Sequence, residues 1–201
     1  MNAIIKRLLM KSLVKLSRRP KAKVFLERLD GFVVDIGAGG EGTIAKTCGR
    51  ETVCVDISKR EIGEARSRGA VANWVVCDAC SMPFRNGAFD VATFFFSLMY
   101  IKTSERKHAV MVEAKRVLKS DGLLYLWDAP IREKHDLSVV FVEANLPDGE
   151  KIYTGYGVKG KEKEQTQELI SKLALDAGFK VTRTESHRNW FAAVFSLNTN
   201  T

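Results

Sequence analysis

From Phe32 onward, short apolar runs alternate with segments in which apolar residues recur every three or four positions. The runs GFVVDIG, TVCVDIS, NWVVCDA, FDVATFFFSLMYI and LLYLWDA predict five strands. The fourth is apolar on both sides, as a central parallel strand covered on two faces must be. Between the strands, Thr43–Cys48, SKREIGEARSRGA and ERKHAVMVEAKRVLKSDG predict helices. Ser58 is suited to cap the second of these, and Lys119 and Gly122 to close the third. Strands alternating with helices of this length predict an α/β domain with a doubly wound parallel sheet.

The last third changes character. SVVFVEANLPDGEKIYTGYGV holds two extended runs around Pro147, Asp148 and Gly149, which predicts a β-hairpin inserted after the fifth strand, within 131–160. KEKEQTQELISKLALDAGF predicts a helix ended by Gly178. KVTRTESHR and WFAAVFSLN predict two tightly joined, antiparallel strands. The sum is a Rossmann-like sheet of about seven strands with the last pair antiparallel. No repeat or interdomain linker interrupts it, so 1–201 is expected to be a single domain.

Composition alters this picture mainly at the N-terminus. Apolar residues make up 45% and charged residues 28%, ordinary for one globular domain, but the net charge is +8. Much of that charge lies in Lys6, Arg7, Lys11, Lys15, Arg18, Arg19, Lys21 and Lys23. Ile5, Leu8, Leu9, Leu13 and Leu16 fall near helical spacing, so residues 1–30 read as a basic amphipathic helical extension. Such a helix either packs its apolar side on the domain or contacts an acidic surface, RNA or lipid. No apolar run approaches the roughly 20 residues that span a bilayer, and no cleavage site follows the basic start, so a cytoplasmic protein is expected. Cys77 and Cys80 form a C-x-x-C without a second, suitably spaced ligand pair, and no metal site is expected.

The chemistry concentrates in FVVDIGAGGEG, where Gly37, Gly39 and Gly42 follow a strand. Glycines there allow close backbone approach to a nucleotide cofactor. Asp56, ending the second strand about 20 residues further on, can accept from both ribose hydroxyls. These features suit an adenine dinucleotide and S-adenosylmethionine alike. Asp35 separates them: an anion beside a pyrophosphate is unfavourable, whereas one beside a sulfonium and an ammonium is favourable.

Taken together, VVDIGAGGEG, VCVDIS, VVCDACSMPFRNGAFDVATFFFSLMYI and EAKRVLKSDGLLYLWD resemble, in order, the motifs of the class I S-adenosylmethionine-dependent methyltransferases. The likeness is to the small single-domain branch that includes the ubiquinone and menaquinone biosynthesis enzymes, and it runs from about Phe32 to Leu126. It implies S-adenosylmethionine as cofactor, with S-adenosylhomocysteine as product. Gly37, Ala38 and Gly39 would pass under its methionine part, and Asp35 would lie near the amino acid end. Asp56, with Ile57 beside it, would hold the ribose. Asp78 and the backbone of Ala79 would meet the adenine, and Phe95, Phe96 and Ser97 would line the pocket near the sulfonium. The segment after Gly42 is short for the family, and the hairpin around Pro147 lies outside its minimal fold.

Methyl transfer from a sulfonium is an in-line displacement that needs alignment and exclusion of water, and a base only for an acceptor that keeps its proton. No Asn/Asp-Pro-Pro-Tyr motif or Pro-Cys pair follows the fourth strand, which disfavours exocyclic amino groups and pyrimidine carbons as acceptors. Asp128 and Tyr100 are the first candidates for a catalytic group, ahead of His108, His135 and His187. The expected activity is methylation of a small molecule. RNA or a protein as acceptor, and a non-catalytic adenosyl-cofactor-binding module, are the alternatives.

Overall fold

The computed structural model of the chain describes residues 21–131, 137–159 and 165–198. Seven strands form the main sheet: β2 (Val33–Ile36), β3 (Thr52–Asp56), β4 (Asn73–Val76), β5 (Phe89–Phe95), β6 (Leu118–Asp128), β9 (Phe179–Ser186) and β10 (Phe191–Leu197). Their order is β4-β3-β2-β5-β6-β10-β9. Strand β10 runs antiparallel to both neighbours, and the pairs among β2 to β6 are parallel. The expected seven strands and antiparallel last pair are therefore present.

Helices α1 (Thr43–Cys48), α2 (Lys59–Ser67), α3 (Ser104–Val117) and α4 (Gln167–Asp176) connect the strands. Ser58 caps α2 by accepting from the Glu61 amide. Helix α3 ends earlier than its sequence suggests. Leu118 is already extended and pairs with Phe89, so LKSDG opens β6 and does not close the helix. The pull of the neighbouring strand overrides the helix-stop signal of Lys119 and Gly122.

Period-2 alternation in β5 divides the core. Ala92 and Phe94 point to one face, where Val110, Met111 and Ala114 of α3 and Ile170 and Leu173 of α4 cover the sheet. Val91 and Phe95 point to the other, where a second sheet takes the place of a helical layer. That sheet is three-stranded, in the order β1 (Lys21–Phe25), β7 (Leu137–Asn145), β8 (Lys151–Lys159). The hairpin β7–β8 turns at Leu146–Glu150, as the Pro-Asp-Gly sequence predicts.

Strand β1 corrects one expectation. Residues 21–25 were assigned to a helical extension, but KAKVF alternates, burying Ala22 and Val24 and leaving Lys23 and Phe25 outside. It pairs in parallel with Phe141–Asn145. A two-residue period buries those two side chains on the hairpin, which a helix would not. Residues 26–30 of the predicted 1–30 extension are not helical either, and residues 1–20 lie outside the described residues, as does His135.

Candidate functional site

A cleft of about 880 Å³ opens over the C-terminal ends of β2, β3, β4 and β5. Its floor is the glycine loop. Gly37 and Gly39 have φ of 75° and 60°, conformations open to glycine at little cost. Gly37 packs so closely on Ser97 that a Cβ would come within 2.7 Å of the serine Cβ. Gly39 differs: a Cβ there would approach only the Gly37 carbonyl, at 3.9 Å, so the space above it belongs to the cleft.

The first three amides of the loop are already engaged. Gly37 and Ala38 amides both donate to the Val55 carbonyl, at 2.9 and 3.0 Å, and the Gly39 amide donates to Asp56 Oδ2 at 3.0 Å. A pyrophosphate would require such amides to be free. The arrangement instead suits a cofactor without phosphate, met by carboxylates. Asp56 Oδ1 accepts from the Ser58 amide at 2.8 Å, so two backbone donors fix this carboxylate at the cleft wall.

Asp78 also borders the cleft. Its carboxyl is held below the usual range, first by the Cys80 amide and then by Arg106, whose guanidinium donates at 2.8 Å. Ile57, Ala79, Phe95, Phe96 and Ser97 line the cleft as well. Ser97 donates to the Ile36 carbonyl at 2.7 Å, tying the end of β5 to the glycine loop. Phe96 has φ of 51°, the only positive value among described residues other than glycine. That conformation costs about 1–2 kcal/mol.

Asp35 is placed differently from Asp56. It is fully buried beneath the loop, accepts from the Thr93 hydroxyl at 2.7 Å, and is not part of the cleft wall. Desolvation pushes its pKa from 3.8 up to about 7, against the opposing Thr93 bond. In this structure its carboxyl is engaged by Thr93 beneath the loop and does not line the cleft.

Of the two catalytic candidates, Tyr100 borders the cleft and Asp128 does not. Tyr100 accepts from the Gly157 amide at 3.3 Å, and its phenol is raised above its ordinary value, chiefly by desolvation. It is therefore suited to hydrogen bonding and not to acting as a base. Asp128 is fully buried and bonded to backbone amides. His108 is outside the cleft, and His187 stacks on Trp190 at 4.2 Å beside Glu185.

Four further groups at the cleft have no local sequence signal. Arg68 of α2 donates to Gly40 O at 2.7 Å and to Glu41 at 2.5 Å, clamping the glycine loop. Arg106 meets Asp78 from α3. Thr154 and Tyr156 of the hairpin form a roof, and Tyr156 stacks on Phe96 with centroids 5.1 Å apart and planes 8° from parallel. Only the TGYG sequence, rich in small residues around one aromatic, hints at this approach. Among the described residues no group of three or more His, Cys, Asp or Glu side chains is placed to hold a metal. No described helix is long and apolar enough to cross a membrane.

The burial of Asp35 has a measurable consequence. Between about pH 4 and pH 7 the folded protein keeps a proton that the unfolded chain has released, so this group's contribution to stability falls as pH rises through that window. Carboxyls held low, such as Asp78, act in the opposite sense and only at lower pH. Asp35→Asn is therefore expected to reduce the melting-temperature advantage of pH 5 over pH 8. An unchanged difference between the two pH values would contradict the buried, proton-binding carboxyl.

Fold and cleft together define an α/β protein with a doubly wound sheet and a glycine-loop cleft at the sheet's C-terminal edge. Residues 34–126 match a family described as a methyltransferase domain. The chain is 26% identical over 181 residues to the ubiquinone/menaquinone biosynthesis C-methyltransferase UbiE of Cereibacter sphaeroides, covering 80% of this chain and 70% of that protein. It is 31% identical over 147 residues to the tRNA (carboxymethyluridine(34)-5-O)-methyltransferase alkbh8 of Xenopus tropicalis. That match covers 70% of this chain but only 23% of the relative's length. Among solved structures, a SAM-dependent methyltransferase from Methanosarcina mazei has a TM-score of 0.60 at 19% identity, covering 98% of each chain. One from Clostridium acetobutylicum has a TM-score of 0.57 at 15% identity, over 96% of this chain and 89% of that one. These likenesses support a class I S-adenosylmethionine-dependent methyltransferase, with S-adenosylmethionine as its cofactor.

Proposed function

We propose that the protein transfers a methyl group to a small-molecule acceptor that enters beneath the β7–β8 hairpin. When bound, S-adenosylmethionine supplies a methyl group already activated on sulfur. Asp56 would hold the ribose and Asp78 with Ala79 the adenine, while Gly37, Ala38 and Gly39 leave clearance for the methionine part. Phe95, Phe96 and Ser97 would form the wall beside the reacting centre. Roofing by Thr154, Gly155 and Tyr156 keeps water from that wall, and alignment in a dry cleft is the main requirement of a displacement at an activated methyl.

The observation that carries the small-molecule reading is this roof. The hairpin lays Tyr156 directly on Phe96 and ties itself to Tyr100, which sets aromatic side chains along one side of the cleft. The test is incubation with S-adenosylmethionine and a metabolite extract divided by ultrafiltration. Formation of S-adenosylhomocysteine with the low-mass fraction, insensitive to ribonuclease, is the expected result. Product formed only with the RNA or protein fraction would overturn the reading. No product with any fraction, despite cofactor binding, would favour a binding module.

A second reading takes RNA as acceptor. A sequence pI near 9.4 favours it, as do relatives named as tRNA methyltransferases in Xenopus tropicalis and Homo sapiens. It predicts RNA retention that weakens steeply between about 50 and 200 mM salt. Absence of salt-sensitive retention would remove it.

A further inference from the structure

Asp128 lies at the end of β6, outside the cleft, yet it is bonded to the cleft's wall. Its Oδ2 accepts from the Met99 amide at 3.2 Å and its Oδ1 from the Ala129 amide at 2.8 Å. Met99 sits in the short turn Leu98–Tyr100 that follows Phe95, Phe96 and Ser97. Behind the carboxylate, Lys107 of α3 donates to Gln165 Oε1 at 2.7 Å, and Gln165 Nε2 donates to the Ala129 carbonyl at 2.9 Å. Asp128, Lys107 and Gln165 are all buried to within 1% of full cover.

Three charged or polar side chains in an apolar interior are costly unless they are arranged around one another. Here Asp128 and Gln165 meet at the Ala129 backbone, and Asp128 alone reaches across to the Met99 turn. The stretch 96–100 is held at further points: Phe96 N donates to Trp127 O at 2.7 Å, Ser97 to Ile36 O at 2.7 Å, and Tyr100 accepts from Gly157 N at 3.3 Å. Met99 is the point between Ser97 and Tyr100. Without its bond to Asp128, the turn that carries Tyr100 into the cleft would be anchored to the sheet only through its ends. The strained Phe96 backbone can persist only where its surroundings over-determine it.

We propose that Asp128 is a positioning residue for the methyltransferase cleft. Through the Met99 amide it fixes the wall from Phe95 to Tyr100, and Lys107 and Gln165 hold its carboxylate in place. This rests on the methyltransferase reading above but is tested separately from it. The charged and titratable groups that face the carboxylate are Lys107 from α3 and, across the turn, Tyr100. Burial dominates and pushes the Asp128 carboxyl up to about 7, against the Ala129 amide, Lys107, Gln165 and the Met99 amide, which favour the anion.

Removing one member of a buried polar group of this kind destabilises the fold whatever the role. The informative variants therefore remove both charges. Asp128→Leu/Lys107→Met and Asp128→Asn/Lys107→Met have the same charge and similar volume, but only the asparagine keeps an oxygen that can accept from Met99. Made in the full chain, the leucine pair is expected to show Met99 and Tyr100 amide exchange at least about 10-fold faster than wild type. Its Kd for S-adenosylhomocysteine is expected to rise at least about 10-fold, while the asparagine pair stays within about 3-fold on both measures.

Equal behaviour of the two pairs, whether both are impaired or both are wild-type-like, would overturn the proposal, since an ion pair without a positioning role cannot distinguish them. If the leucine pair does not fold, alanine at 128 provides the same comparison. Failure of the wild type to bind S-adenosylhomocysteine would sink the methyltransferase reading, and the exchange comparison would still decide the role of Asp128.

Discussion

Replacing Asp56 with alanine is expected to weaken S-adenosylhomocysteine binding at least about 100-fold by calorimetry and to lower the melting temperature as well. The reason is a double duty. Asp56 Oδ2 receives the Gly39 amide at 3.0 Å and Oδ1 the Ser58 amide at 2.8 Å, so the carboxylate holds the glycine loop and the start of α2 in register. The same group faces the cleft, ready to accept from ribose hydroxyls. Hydrogen bonds to a charged group contribute about 1.5–3 kcal/mol each, and losing two exceeds the roughly 2.7 kcal/mol that 100-fold represents. Asp56→Asn keeps one acceptor and should fall between. Full affinity in Asp56→Ala would mean that the ligand lies elsewhere.

Gly37→Ala is expected to damage both stability and binding. At φ of 75° an alanine is strained by about 1–2 kcal/mol. Its Cβ would also come within 2.7 Å of Ser97 Cβ, which sits on backbone and cannot swing away like the tip of a long side chain. Forced overpacking adds about 1–3 kcal/mol. For a chain of this size the sum lowers the melting temperature on the order of 10 °C. Because Ser97 is tied to Ile36 O, relief of the clash moves the wall of the cleft, and cofactor affinity should fall together with stability. Gly69→Ala is the control: it shares the positive φ, of 78°, but no atom lies within 4 Å of the added carbon. If Gly37→Ala is no worse than Gly69→Ala, the close packing of loop on wall is not what the structure indicates.

These two effects differ in how readable they are. Gly37 and Asp56 act through near neighbours in sequence: a strand end, a turn, the start of a helix. Local pattern exposes such residues, as it exposes Ser58 as the cap of α2 and Pro147, Asp148 and Gly149 as the hairpin turn. Arg106 and Asp78 are 28 residues apart and meet only because α3 packs across the end of β4. Tyr156 reaches Phe96 because a hairpin folds back over the sheet. Strand β1 is misread from sequence because its lysines continue the basic run before it, while its alternation is only five residues long. No periodicity in one segment encodes which distant segment will cover it.

By itself, the sequence determined the alternation of strands and helices, the glycine loop after β2 and the acidic residues at the strand ends, because backbone periodicity and glycine's freedom act over a few residues. The tertiary structure decided which of these acids border the cleft. Asp56 stands at the open end of β3, fixed by two amides, whereas Asp35 is turned into the sheet against Thr93 and Asp128 is sealed beneath the Met99 turn. The chemistry of a carboxylate depends on its solvent and its partners, and both are supplied by segments far away in the chain.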